Sequence, residues 1–107
     1  MGSLLISPRN YSFSESSTEG AKYIRINVTF RNVGQTEIYV YPDYCFLYYR
    51  GIKNRCYGLY VGALYPGVSK TDTASFLVPE ALQASECKFS IEDYQEPFNY
   101  KITWILE

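Results

Sequence analysis

The chain has 107 residues, a length that suits one domain and leaves no space for a second. Ten basic and eleven acidic residues give a net charge of −1 with no basic block, so the electrostatic footprint of a nucleic-acid-binding protein is missing. There is no histidine, which removes the usual general base, the commonest transition-metal ligand and the usual partner of a Ser or Cys nucleophile.

A domain of this size buries about two-thirds of the surface its unfolded chain exposes. That supports one modest core without a large enclosed cavity, so any site is expected on a face, an edge or a loop cluster. Twelve tyrosines favour a pleated, half-buried surface, and no long stretch has helical spacing of apolar residues. No apolar run approaches the length of a transmembrane segment. Met1, Gly2 and Ser3 read as a vector-encoded start, and Leu106-Glu107 as a tag remnant.

Taken in chain order, residues 4–7 and 11–14 are two weak strand candidates, and the serine- and acid-rich run 14–20 is an exposed loop. Residues 22–31 form the clearest strand: Ile24, Ile26, Val28 and Phe30 alternate with Arg25, Asn27, Thr29 and Arg31. A period of two with one apolar face predicts a strand covering a core on one side only. Asn32-Val33-Gly34-Gln35 then carries turn chemistry. A short strand over 37–41 ends at Pro42-Asp43, and 44–50 is the next strand. Residues 51–54 read as a hairpin loop and 55–57 as its return. Residues 58–67 read as a loop or irregular edge closed by a Pro66-Gly67 turn.

A long strand spans 69–78, with Ala74, Phe76 and Val78 on one face and Pro79 as its stop. A single helical turn is expected within 80–85. Cys87, Phe89 and Ile91 alternate with Lys88, Ser90 and Glu92 in a further strand, followed by a polar turn over 92–97. Tyr100, Ile102 and Trp104 set the phase of the last strand. Seven or eight short strands separated by turn signals predict an all-β, immunoglobulin-like sandwich of two antiparallel sheets. Its core should be Ile24, Ile26, Val28, Phe30, Phe76, Val78, Phe89, Ile91, Ile102 and Trp104.

Several pieces together resemble the immunoglobulin-like domain family of exported bacterial and archaeal proteins and lipoproteins, related in fold to immunoprotective extracellular antigens. The pieces are residues 23–30 followed by Arg31-Asn32-Val33-Gly34, the aromatic strand 43–48, Leu64-Tyr65-Pro66-Gly67, and Phe76-Leu77-Val78-Pro79-Glu80. The resemblance implies a non-catalytic module located in the cell envelope or outside the cell. Its partner would be another protein or a neighbouring domain of the parent chain. No cofactor or metal comes with it. The three cysteines and the density of tyrosine depart from the family pattern.

Candidate chemistry is sparse. Cys45, Cys56 and Cys87 allow three single-bridge pairings, and three buried apolar thiols are the alternative. If a bridge forms, Cys56 with Cys87 is favoured, because Cys45 sits in a dense apolar strand. Without histidine, a nucleophilic cysteine has no base, so the chain does not read as an enzyme. Glu92, Asp93 and Glu96 read as solvated loop acids. Asn10-Tyr11-Ser12 and Asn27-Val28-Thr29 match the glycosylation tripeptide, a pattern that arises easily by chance. Tyr39, Tyr41 and Tyr49 fall opposite Ile38, Val40 and Tyr48 on their strands. If the second set faces the core, the tyrosines form an exposed patch, and an alternative role as a carbohydrate-binding module follows from it.

Overall fold

A computed structural model describes residues 4–40, 44–55, 61–93 and 100–106. Among them lie nine strands: β1 (Leu4–Glu15), β2 (Ala21–Asn32), β3 (Ile38–Val40), β4 (Tyr44–Tyr49), β5 (Ile52–Arg55), β6 (Gly62–Leu64), β7 (Ser69–Pro79), β8 (Cys87–Asp93) and β9 (Tyr100–Ile105). A 3-10 turn, Ala84–Glu86, precedes β8, close to where a helical turn is expected.

The strands form a three-stranded sheet in the order β1-β2-β7, a four-stranded sheet in the order β5-β4-β8-β9, and a two-stranded ribbon β3-β6. All pairings are antiparallel. In the immunoglobulin plan, strands A, B and E share one sheet while C, F and G share the other, with C′ beside C in some members. Here β1, β2 and β7 take the places of A, B and E, and β5-β4-β8-β9 takes the order C′-C-F-G. The chain is thus a β-sandwich with one extra ribbon beyond the two sheets expected.

The core forms where the alternating strands face each other. Ile24, Val28 and Phe30 of β2 have no exposed surface, and Phe76 of β7 and Phe89 and Ile91 of β8 are equally buried. Phe76 and Phe89 meet edge to face across the sheets with centroids 6.0 Å apart, a favoured aromatic geometry. Trp104 stacks on Phe89 at 5.7 Å but stays half-buried, as does Ile102. Leu106, read from the sequence as a tag remnant, is buried, and its N–H donates to the Cys87 carbonyl.

Two weak strands near the N-terminus are one strand with a β-bulge. The register runs Pro8 to Val28 and then Asn10 to Asn27, so Arg9 is the extra residue. Leu4 and Ile6 point inward before the bulge, Tyr11 after it, and all three pack on the core. An uninterrupted strand would turn Tyr11 outward, because successive side chains alternate faces. Pro8 is tolerated because β1 is an edge strand and needs no ladder donor there.

Two local turns follow from backbone conformation. Arg50 (φ 49) and Gly51 (φ 76) both lie in the left-handed region, as a two-residue type I′ hairpin requires. The hairpin is therefore shorter than the loop over 51–54 read from the sequence, and β5 begins at Ile52. The Pro66-Gly67 turn stands as expected, with Gly67 at φ 78 and the Val68 N–H donating to the Tyr65 carbonyl at 3.0 Å.

Asn32, the last residue of β2, is fully buried. Its Nδ2 donates to the carbonyls of Thr36 and Leu64, each at 2.8 Å. Its Oδ1 accepts from the Gly34 N–H at 2.9 Å. Its backbone N–H donates to the Val68 carbonyl, and its own carbonyl accepts from Gly67. One residue thus ties the loop after β2, the ribbon strand β6 and the Pro66-Gly67 turn to a single point.

Two stability measurements check this account. Asn32→Ala leaves three backbone partners without their bond at a cost of ~1–3 kcal/mol for each group that stays dry, so a loss of about 2–4 kcal/mol is expected in urea unfolding. Phe76→Ala should cost about 3–5 kcal/mol, and Trp104→Ala clearly less, because only Phe76 is fully buried. Equal losses for the two aromatic variants would contradict the packing.

Candidate functional site

Tyr39 and Tyr49 do not line one face together. Tyr39 is 58% exposed between Ile38 and Val40, both buried, as the alternation requires. Tyr49 points the other way and is 7% exposed. Its phase is set by pairing with β8, where Leu47 lies opposite Phe89, Cys45 opposite Ile91 and Tyr49 opposite Cys87. Phe89 and Ile91 face the core, so Cys45, Leu47 and Tyr49 face it too, and Tyr48 takes the outer side. Tyr41 lies outside the described residues.

Tyr39 has a different aromatic companion. It pairs with Ala63 on the ribbon, and Tyr65, two residues beyond Ala63, is also 58% exposed. Val33 and Val68, which flank the backbone bonds of Asn32, are exposed as well. All four are exposed and lie on the chain segments that the Asn32 bonds and the ribbon pairing bring together. Composition had already flagged Tyr39. Tyr65 and the two valines became candidates only through the junction between the two turns.

The outer face of the three-stranded sheet is mostly polar, with Leu5, Tyr23 and Leu77 as its apolar or aromatic members. Cross-strand rows run over it: Arg25 donates to Ser14 at 3.1 Å and to Ser75 at 3.4 Å, and Arg25 also lies over the Tyr23 ring. In the next row Asn27 Nδ2 donates to Asn10 Oδ1 at 2.6 Å, and Thr73 Oγ1 donates to Asn27 Oδ1 at 2.7 Å. Thr29 and Thr71 share a hydroxyl bond of 2.8 Å. Both asparagines of the glycosylation tripeptides lie in this ladder, and the Asn27 amide nitrogen is already engaged. A groove of about 610 Å³ opens along the face, lined by Arg9, Arg31, Asn27, Thr29 and Thr71 among others.

Glu92 is not a loop acid. It lies within β8, 4% exposed, on the side opposite Phe89 and Ile91. Tyr48 and Ser90 hydroxyls both donate to its Oε2 at 3.2 Å, and the Lys101 ammonium stands 4.0 Å away. Lys53 lies 4.0 Å over the Phe46 ring on the same face. The alternation of Cys87, Phe89 and Ile91 with Lys88, Ser90 and Glu92 already carries Glu92 into the strand; the acid-rich composition of 92–97 is what reads as a loop.

Arg50 and Glu86 form a bidentate pair at the surface: Nε to Oε1 at 2.8 Å and Nη2 to Oε2 at 3.2 Å. The side-chain hydrogen bonds from Arg50 lower the Glu86 pKa, the Gln83 N–H lowers it further, and the same bonds raise the Arg50 pKa.

Cys87 is a buried free thiol whose Sγ donates to the Gln83 carbonyl at 3.6 Å. Burial raises its pKa, and the Glu86 carboxylate adds to the rise, so the nucleophilic thiolate is disfavoured. Its expected disulfide partner, Cys56, lies outside the described residues. Among the described residues, no group of three or more His, Cys, Asp or Glu side chains is placed to hold a metal ion. Nor, among the described residues, is any helix long and apolar enough to cross a membrane. The arrangement offers contact surfaces and a polar groove; its buried carboxylate and thiol are both engaged in hydrogen bonds within the fold.

No family model matches the chain, and no curated protein matches it. Among solved structures, a putative lipoprotein (ycdA) from Bacillus subtilis subsp. subtilis str. 168 superimposes with a TM-score of 0.66 at 14% identity. The match covers 94% of this chain and 35% of the neighbour, so the chain spans about a third of that protein's length. The likeness establishes a shared fold.

The Arg50–Glu86 pair generates a pH prediction. A carboxylate with a lowered folded pKa contributes stability above the ordinary carboxylate range and loses it as pH falls through the folded value. The wild type should therefore exceed Glu86→Gln in urea midpoint at neutral pH, with the gap closing in acid. A gap that is constant with pH would assign the effect to something other than this ion pair. Cys87 should react with a disulfide reagent more slowly in the native protein than after unfolding; faster native reaction would reopen a thiol-based role.

Proposed function

We propose that this domain is a non-catalytic interaction module of a longer exported or envelope-associated protein. Its docking surface is the apolar end formed by Val33, Tyr39, Tyr65 and Val68, and its partner is a protein surface, either a neighbouring domain of the parent chain or a separate protein. The carrying observation is the exposure of four apolar side chains around a rigid, fully hydrogen-bonded junction at Asn32. Exposed aromatic and aliphatic clusters of this kind tend to mark contact sites, and tyrosine brings large contact area at low entropic cost.

Two further observations support the reading. The fold recurs as about a third of a longer protein described as a lipoprotein, which fits a module with neighbours. The resemblance of residues 23–34, 43–48, 64–67 and 76–80 to exported immunoglobulin-like domains points to the same compartment. Sandwiches serve many roles, so the surface and not the fold carries the proposal.

The test is site-directed photo-crosslinking in the full-length parent protein in the cells that produce it. A crosslinking residue at position 39 or 65 should yield a discrete protein adduct or an intramolecular crosslink to another domain. The same residue at exposed Lys88, on the outer side of the four-stranded sheet, should not. Absence of adducts at 39 and 65, or equal yield at 88, would reject the surface.

A further inference from the structure

The outer face of the β1-β2-β7 sheet has a charge pattern that the rest of the chain does not share. The chain carries eleven acids, yet none occupies an outward position on this sheet, where Arg9, Arg25 and Arg31 all lie. Arg25 is used within the fold, bonded to Ser14 and Ser75. The side chains of Arg9 and Arg31 make no hydrogen bond or ion pair among the described residues, and both line the 610 Å³ groove. The bulge is what brings Arg9 there: as the extra residue of β1 it lies outside the ladder, free of the alternation that places its neighbours.

The groove is lined almost entirely by residues with polar head groups. Apart from Leu5, its lining is arginine, amide and hydroxyl. A protein partner would want the opposite arrangement, an apolar centre with a polar rim. Planar guanidinium forks recognise carboxylate and phosphate oxygens, and the flanking Asn and Thr groups are donors and acceptors suited to hydroxyls. Arg9 lies level with the pairing of Val28 and Asn27, and Arg31 is three to four residues further along β2. At a strand rise of ~3.4 Å per residue the two backbone positions are about 12 Å apart. That spacing lets the two guanidinium heads hold separate charged groups of one chain.

From these observations we infer that the groove binds an anionic polysaccharide or polyol polymer, with Arg9 and Arg31 holding successive charged groups and Asn27, Thr29 and Thr71 facing the hydroxyls between them. This site is separate from the apolar end and does not depend on it. Carboxylate and phosphate polymers share the chemistry required.

The experiment is an amide chemical-shift titration of the labelled protein with oligogalacturonate, with a glycerol-phosphate oligomer, with a neutral glucan and with poly-glutamate. Saturable shifts centred on Arg9, Asn27, Arg31 and Thr71 are expected with one or both anionic polymers and not with the glucan, and the responding polymer identifies the charged group. Arg9→Gln and Arg31→Gln should each weaken binding about tenfold while the dispersed spectrum of the folded domain persists, a factor at the low end for a hydrogen bond to a charged group. Raising salt should weaken binding further. Three results would overturn the assignment: no shifts with either polymer, shifts unchanged in both variants, or equal binding of poly-glutamate. None of them bears on crosslinking at positions 39 and 65.

Discussion

The buried side chain of Asn32 is the constraint around which one end of the molecule is built. A buried amide is stable only if its donors and acceptor are met, and here the two N–H donors and the oxygen all are. Meeting them fixes where the loop after β2 runs and how the ribbon strand β6 approaches, while the backbone bonds of the same residue hold the Pro66-Gly67 turn. A backbone held at that many points can present apolar side chains to solvent without collapsing over them. Tyr39, Tyr65, Val33 and Val68 are the exposed residues on these segments. Two of the sequence pieces that resemble exported immunoglobulin-like domains, Arg31-Asn32-Val33-Gly34 and Leu64-Tyr65-Pro66-Gly67, meet at this junction.

The same logic of inside and outside explains the other face. Once Ile24, Ile26, Val28 and Phe30 are committed to the core, Tyr23, Arg25, Asn27, Thr29 and Arg31 have nowhere to go but outward. Apart from Leu5 beside Arg31 and Leu77 beside Tyr23, their partners on β1 and β7 are short polar residues, so the middle of the face becomes a lattice of hydroxyls and amides. The bulge at Arg9 keeps the hydrophobic phase of β1 intact on both sides and, in doing so, sets one arginine outside the alternation.

The groups that carry chemistry elsewhere are spent here on structure. Glu92 anchors Tyr48 and Ser90, Glu86 clasps Arg50 beside the tight hairpin, and Cys87 is a buried thiol hydrogen-bonded to a carbonyl. A buried carboxylate satisfied by hydroxyls and a lysine, and a thiol with a raised pKa, suit stability better than turnover. The surfaces left over are the exposed apolar residues around Asn32 and a basic, mostly polar face.

How much of this was legible from the chain depends on whether the deciding contact was local. The alternation over residues 22–31, the stop at Pro79 and the turn at Pro66-Gly67 follow from side-chain period and allowed backbone angles, which neighbouring residues set among themselves. Those features sufficed for an all-β sandwich and for eight of the ten expected core residues at full burial. Tertiary structure alone decided the rest. The phase of β4, which turned Tyr49 inward and Tyr48 outward, was set by its partner β8. The β1 bulge was set by its register with β2, and the burial of Asn32 and Glu92 by what folds against them. Pairing of strands distant in the chain moves whole faces between core and solvent at a one-residue slip, and no local pattern records that choice.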